Sequence, residues 1–446
     1  MKKSIIITLL LFGVIGQAQN KKWTLLECVN YALENNISIK QSELDLDLAD
    51  IAKKDAIGNF LPNLNANGDF GSNTGANINP ATNQFENNTF ESANGSISSG
   101  INIFNGLLNW KTLQRAKLNQ IASQYSLDKM KDDTSLFVAN SFLQILSNRE
   151  QLRVLKGQNE VTKENIRNTQ ELVDAGVLPQ GDLLEIQATN ATQEQQIITA
   201  ENTLFISKLG LAQTLQLKDY LNFDIADDDY TLVSADILDK TPSEIADKAK
   251  VEVNDVLIAQ ANLDLAEKDL QINRASYYPT LSGFVQYRTR WASTQFDPLT
   301  GEEIGFIDQL QIFDGTAVGL QLSVPIFNGF NVRNNVQRSK VAIERQKFQL
   351  EQTELDLEST VYQAYNDAKN SKKSYEAALK TEEARRLAFE YAKERYDVGL
   401  SNSFDFNQSR TAYENSQSDV VRTKYDYIFR LKILEFYFGL PITNLN

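Results

Sequence analysis

"INIFNG" occupies residues 101–106 and "VPIFNG" residues 324–329, so Ile-Phe-Asn-Gly returns after 223 residues in a chain of 446. A repeat at half the chain length calls for a search for other matches in the same order. Gly176 and Asp182 in "AGVLPQGDLLEIQ" correspond at the same offset to Gly399 and Asp405 in "VGLSNSFDFNQ", and Leu217 corresponds to Leu440. Nearer the start of each half the offset is 217: Thr24 and Glu27 match Thr241 and Glu244, Asp47-Leu48-Ala49 match Asp264-Leu265-Ala266, and Pro62 matches Pro279. The order never breaks. The six extra residues of the second half therefore fall between its proline and its Ile-Phe-Asn-Gly, where a loop tolerates them. We expect two structural repeats, 20–217 and 241–446, joined by an acidic linker over 218–240.

Within one repeat, Thr24 to Glu27 and Thr241 to Glu244 have capping-box spacing, with Pro242 at a first-turn position that tolerates it. Apolar residues then recur at helical spacing through Leu33, Ile37, Leu44, Leu48 and Ile51, and through Val256, Leu263 and Leu270. Cys28 falls in this pattern as a small core residue. After Pro62 the period becomes two: Leu64, Ala66 and Phe70 alternate with Asn63, Asn65, Asn67 and Asp69. Alternation returns at Ile97, Ile101 and Ile103, at Leu281, Val285, Tyr287 and Trp291, and from Val318 to Ile326. These are four strands, at about 60–71, 90–104, 279–291 and 316–327. A soluble antiparallel sheet with one wet face and a tilted membrane-spanning sheet share this pattern. Polar faces of Asn, Ser, Gln and Arg, together with long loops, favour the membrane. Four strands cannot close a barrel, and an open sheet in lipid leaves backbone groups unpaired, so that reading requires several copies.

No proline occurs from Leu107 to Ala175 or from Phe330 to Val398, two intervals of 69 residues. A continuous helix of that size reaches on the order of 100 Å. Its thinly spread apolar positions, such as Leu118, Ile121 and Tyr125 or Val332, Val336 and Ile343, suit a narrow coiled-coil seam. The chain turns at Gly176 and Gly399, and a second helix returns through Leu183 and Ile186 or Phe406 and Tyr427. Asn105-Gly106 and Asn328-Gly329 are then the joints where a strand hands over to a long helix.

Composition narrows the function. The chain has 44 basic and 58 acidic residues, a formal charge of −14, which argues against a nucleic-acid partner. It has no histidine, the commonest general base and metal ligand, and no convincing pair of carboxylates or Ser-Lys arrangement, so an exported enzyme has little to work with. We expect no cofactor and no metal; the acidic run Asp227-Asp228-Asp229 lacks the Gly and Glu of a calcium loop. One cysteine cannot form an internal disulfide. The opening "MKKSIIITLLLFGVIGQAQ", residues 1–19, reads as a signal peptide cleaved near Ala18 or Gln19.

The ordered duplication resembles the TolC family of bacterial outer-membrane efflux proteins. The residues that carry the resemblance are "WTLLECVNYALENN", "FLPNL", "YYPTL", the two "IFNG" joints and the turns "AGVLPQGD" and "VGLSNSFD", and it covers Trp23 to about Pro441. It implies a mainly α chain with a small β part: long coiled-coil helices forming an α-barrel, and four strands contributing to a twelve-stranded transmembrane β-barrel of a homotrimer. It implies a passive export duct across outer membrane and periplasm, without enzymatic activity, engaged by a periplasmic adaptor and an inner-membrane transporter. It places the periplasmic entrance at Gly176, Asp182, Gly399 and Asp405; some members pair the position of Asp405 with a second aspartate three residues on, where this chain has Gln408. From the residues alone, Asp182 and Asp405 are either dipole-favoured caps at the start of the returning helices or, at Asp405, part of a three-fold negative ring. Arg288 and Arg290 face the lumen if the alternation holds. The competing reading is a periplasmic coiled-coil scaffold without a pore.

Overall fold

The computed structural model describes residues 22–78, 84–226, 236–297 and 299–440. The signal-peptide stretch, the acidic run at 227–229 and the tip of the first inter-strand loop lie outside these.

Both expected capping boxes form. Glu27 N donates to Thr24 Oγ1 at 3.3 Å while Thr24 N donates to Glu27 Oε2 at 3.0 Å, which starts α1 (Leu25–Asn35). Thr241 and Glu244 repeat the exchange at the head of α5 (Pro242–Glu252), with the same two distances. Each is followed by a 22-residue helix, α2 (Ile37–Gly58) and α6 (Asn254–Ala275). The long helices are α3 (Leu108–Asp174) and α8 (Asn331–Asp397), 67 residues each, and the returning helices are α4 (Gln180–Thr214) and α9 (Ser403–Tyr437), 35 residues each. Within α8, Val336, Ser339 and Ile343, then Leu357, Val361, Ala368 and Ser371, are its buried positions. Steps of three, four and seven residues describe a narrow seam.

The chain forms two compact units. The first comprises 22–43, 125–257 and 352–440 of the described residues. Its core joins Leu25, Cys28, Val29 and Ala32 of α1 to Val138, Phe142, Ile145 and Leu146 of α3 and to Leu211 and Leu215 at the end of α4. Cys28 is wholly buried there. The segment expected to be a linker is partly built into this core. Asp224–Ile225 (β4) pairs in parallel with Lys22–Trp23 (β1), and Phe223 and Ile225 are buried. Arg149 and Lys208 hold the Asp224 carboxylate at 2.6 and 2.8 Å. The acidic composition of 218–240 had concealed one apolar pair, Phe223 and Ile225, that alternates around Asp224.

The second unit, 44–124 and 258–351, holds a four-stranded antiparallel sheet in the order β2-β3-β5-β6. The strands are β2 (Asn63–Ile78), β3 (Phe85–Asn105), β5 (Thr280–Ala292) and β6 (Gly315–Ser323), with a short helix α7 (Phe306–Ile312) between the last two. The first hairpin runs farther than expected, because Ser, Asn and Thr from 72 to 77 keep the ladder without apolar alternation. β6 ends earlier, at Ser323, where its partner begins at Thr280 after Pro279 and no further ladder donor is available. Val324 to Phe327 therefore lie outside the sheet. In α2 the expected apolar spacing is present, yet Ile37, Leu44, Leu48 and Ile51 are all more than half exposed in the single chain.

Candidate functional site: a two-faced sheet, two glycine turns and a buried arginine

Register converts the alternation into two faces. Leu64, Ser99, Val285 and Val318 share one row across the sheet, Ala66, Ile97, Tyr287 and Thr316 another, and Phe70, Ala93 and Trp291 a third. Small Ala93 lets the Phe70 and Trp291 rings stack at 6.4 Å across it. The intervening rows read Asn65, Ser98, Gln286 and Ala317, then Asn67, Ser96, Arg288 and Gly315, then Asp69, Asn94 and Arg290. Asn94 Nδ2 donates to Asp69 Oδ2 at 2.8 Å. Thus Arg288 and Arg290 stand on the polar face, opposite a face whose Leu64 and Val318 are about three-quarters exposed. An exposed apolar face of this kind marks a surface that meets a membrane or another protein.

At both joints the chain leaves the sheet region through two successive left-handed residues. Gly106 has φ +67° and Leu107 +65°; Gly329 has +60° and Phe330 +65°. The glycines were legible, but left-handed Leu107 and Phe330 were not, because that conformation disfavours residues with a Cβ. Their carbonyls accept from Lys111 N at 3.0 Å and Asn334 N at 2.9 Å, opening α3 and α8. Asn105 Nδ2 donates to Asn109 Oδ1 at 2.8 Å, and Asn328 O accepts from Asn331 N at 3.2 Å.

The far ends of α3 and α8 close on Gly176 and Gly399, at φ +73° and +74°. Val177 N donates to Leu172 O and Leu400 N to Arg395 O, both at 2.8 Å, which is the left-handed glycine stop with its long return bond. The two turns are linked: Ser403 Oγ donates to Asp182 Oδ1 at 2.9 Å and Asn407 Nδ2 to Glu185 Oε1 at 3.4 Å. Asp405 holds the dipole-favoured place in the first turn of α9 but is not its cap. Asn402 is the cap, its Oδ1 accepting from Asp405 N at 2.8 Å, so the Asp405 carboxylate is left exposed in the first turn with Gln408 exposed three residues on. The first turn has Pro179 at the cap and Asp182 occupied by Ser403.

One residue near these turns escaped the sequence reading. Arg410 is 2% exposed, and Nε, Nη1 and Nη2 all lack a hydrogen-bond partner. Its nearest counter-charge, Glu414, stands 3.8 Å away and takes the Gln193 amide at 3.2 Å. Burial lowers the pKa of Arg410 and raises that of Glu414, the mutual attraction opposing both shifts. Arg410 lies four residues after buried Phe406, so helical spacing was the available signal. Beside it, α3, α4 and α9 line a groove of about 500 Å³ with Gln151, Gln158, Thr192, Gln193, Thr411 and Glu414. Among the described residues no cluster of three carboxylate or cysteine ligands could hold a metal, and no helix is long and apolar enough to cross a membrane.

A profile of the outer membrane efflux protein family matches residues 28–215 and 245–439, one match on each side of the acidic segment. The chain belongs to that family. It is 22% identical over 441 residues to the outer membrane protein TolC of Vibrio cholerae, covering 96% of this chain and 93% of that protein. It is 21% identical over 438 residues to the proteases secretion protein PrtF of Dickeya chrysanthemi, covering 96% and 90%. In fold it is similar to the CmeC outer membrane channel of Campylobacter jejuni, with a TM-score of 0.76 at 18% identity, covering 94% of this chain and 86% of that one. The outer-membrane channel OprN matches with a TM-score of 0.77 at 16% identity over 94% and 90%. This efflux-family protein is therefore an outer-membrane channel protein that extends into the periplasm, in a family of channels rather than enzymes.

Proposed function

We propose that three copies of this efflux-family protein assemble into one passive export duct, their twelve strands closing a β-barrel in outer-membrane lipid and their helices a periplasmic α-barrel. The observation that carries this is the sheet: four strands, an apolar and a polar face, and two edge strands, β2 and β6. Lipid accepts the apolar face only if the edges are paired, and a neighbour's edge is the economical partner. The exposed stripe Ile37, Leu44, Leu48 and Ile51 on α2 supports the same reading, since a helix against a neighbour needs such a stripe. In this assembly Arg288 and Arg290 face the lumen, and Asn105-Gly106 and Asn328-Gly329 join barrel to rods.

The turns at Gly176 and Gly399 form the periplasmic entrance, with Asp182 tied to Ser403 and Asp405 projecting as a ring of three carboxylates. Gln408 leaves that ring one carboxylate deep. A periplasmic adaptor and an inner-membrane transporter supply cargo and energy, and the chain derives from two copies of one unit, 20–217 and 241–446, behind an export signal at 1–19. Relatives named for protease secretion and for toxin and drug export support a duct for polypeptides or small molecules.

Single-channel recording in a planar bilayer, with the detergent-corrected mass of the same sample, tests this. We expect a three-chain mass and discrete steps that lengthen or grow in Asp405→Ala. Equal steps in both proteins would remove Asp405 from the constriction, and failure of a folded protein to insert would return the coiled-coil scaffold.

A further inference from the structure

We infer that α7 is a seam element: it takes the place of β6 beside the C-terminal end of β5 and docks on the extended end of β2 from the next copy. This rests on the three-copy reading above. Pairing between β5 and β6 stops at Arg288 and Gly315, yet β5 continues to Ala292. The backbone of that last stretch is served by α7. Gln309, wholly buried in a seven-residue helix, accepts from Ala292 N at 2.9 Å and donates to Ala292 O at 3.0 Å and Ile304 O at 2.7 Å. Thr289 Oγ1 adds a bond to Leu310 O at 2.7 Å. A side-chain amide thus supplies the donor and acceptor of a missing strand, and the helix is fixed rather than loosely attached.

The edges say what lies beyond it. β6 has nine residues and β2 has sixteen. β2 runs eight residues past Phe70, which is level with Trp291, to Ile78. When β6 of one copy meets β2 of the next, part of that longer strand has no β6 residue to face, and α7 stands at the end where β6 is missing. Its Phe306 ring reaches Trp291 at 5.6 Å on the apolar side of the sheet, while Phe313 just past its end meets Arg290 on the polar side at 5.0 Å, so the helix lies across the edge of β5. Ile307 and Ile312 remain 63% and 59% exposed on one chain. Ser72, Thr74 and Ala76 lie in β2 beyond Phe70 and on its face, small residues against which Ile307, next to Phe306, can pack. A second copy is therefore the occupant, continuous with the strand seam.

The test pairs Ile307→Cys with Ser72→Cys, Thr74→Cys or Ala76→Cys in the whole detergent-extracted protein, oxidised with copper phenanthroline, beside its mass. We expect covalent two- and three-chain bands from at least one pair and none from Ile307→Cys alone. A three-chain mass with no such band from any pair overturns the seam but leaves the trimer. Quenching of a fluorophore at Ile307→Cys by brominated lipid in proteoliposomes would instead give this face to the bilayer, again overturning the seam. A one-chain mass removes the three-copy reading and the seam with it.

Discussion

Arg410 shows what a single residue can cost a helical bundle. A guanidinium has five donors, and here none finds an acceptor while the counter-charge stands at 3.8 Å. Desolvation in such a pair commonly outweighs the attraction, and replacing both partners with well-packed apolar residues of similar volume is often neutral or stabilising by about 1–4 kcal/mol. We expect Arg410→Met with Glu414→Gln to raise the thermal midpoint of the extracted protein at pH 7, measured by circular dichroism. The pH dependence follows from the raised carboxyl. A folded-state value above the ordinary 4.5 means that the native state takes up a proton before the unfolded chain does, so the penalty is present at neutral pH and relieved as pH falls toward that value. The advantage of the double variant should therefore shrink as pH falls from 7 toward the ordinary 4.5; an advantage constant over this range would show that the Glu414 carboxyl is not raised. In the sequence, Gly176 and Gly399 were legible because helix ends demand a left-handed residue. Arg410 was not, because a basic residue in a helix is ordinarily solvated and only its phase with Phe406 says otherwise.

At the scale of elements, the two joints carry the same motif in different surroundings. A Cβ on Gly106 would meet Ala275 O at 2.6 Å and the Tyr278 Cβ at 2.8 Å, whereas one on Gly329 would meet nothing within 4 Å. Both glycines are left-handed, which costs a residue with a side chain about 1–2 kcal/mol. Gly329→Ala should lose roughly that amount, and Gly106→Ala should lose more because the α6 end must also move. Urea unfolding of the two variants checks the order, and equal losses would mean that the contacts at Gly106 relax freely. Periodicity found the long helices and the four strands of the larger sheet, since 3.6 and 2 are different signals over such lengths, but not the two-residue β1 and β4. It misplaced strand ends where pairing, not apolarity, sets the limit, as at Ser323 opposite Thr280. It passed over α7, whose seven residues are too few to show a period.

Over the whole molecule, charge and length are the properties that matter to a duct. The chain is strongly acidic, yet the polar face of its sheet carries Arg288 and Arg290, with Arg290 lying 5.0 Å from the Phe313 ring centroid. Replacing both by Ser should shift the reversal potential in a salt gradient toward greater cation preference, and an unchanged potential would place these residues away from the ion path. The two-faced sheet and the rods were legible in one sequence, whereas what meets the edge strands β2 and β6 was legible only as an unmet demand for pairing. The equal lengths of the helices, 67 with 67 and 35 with 35, carry a consequence for descent. If one ancestral unit was duplicated, its halves have been free to exchange nearly every residue but not to gain or lose one in a helix alone. An insertion in α3 would carry Asp182 away from Ser403 unless α8 received the same. Length is inherited jointly by the two halves, while composition drifts in each.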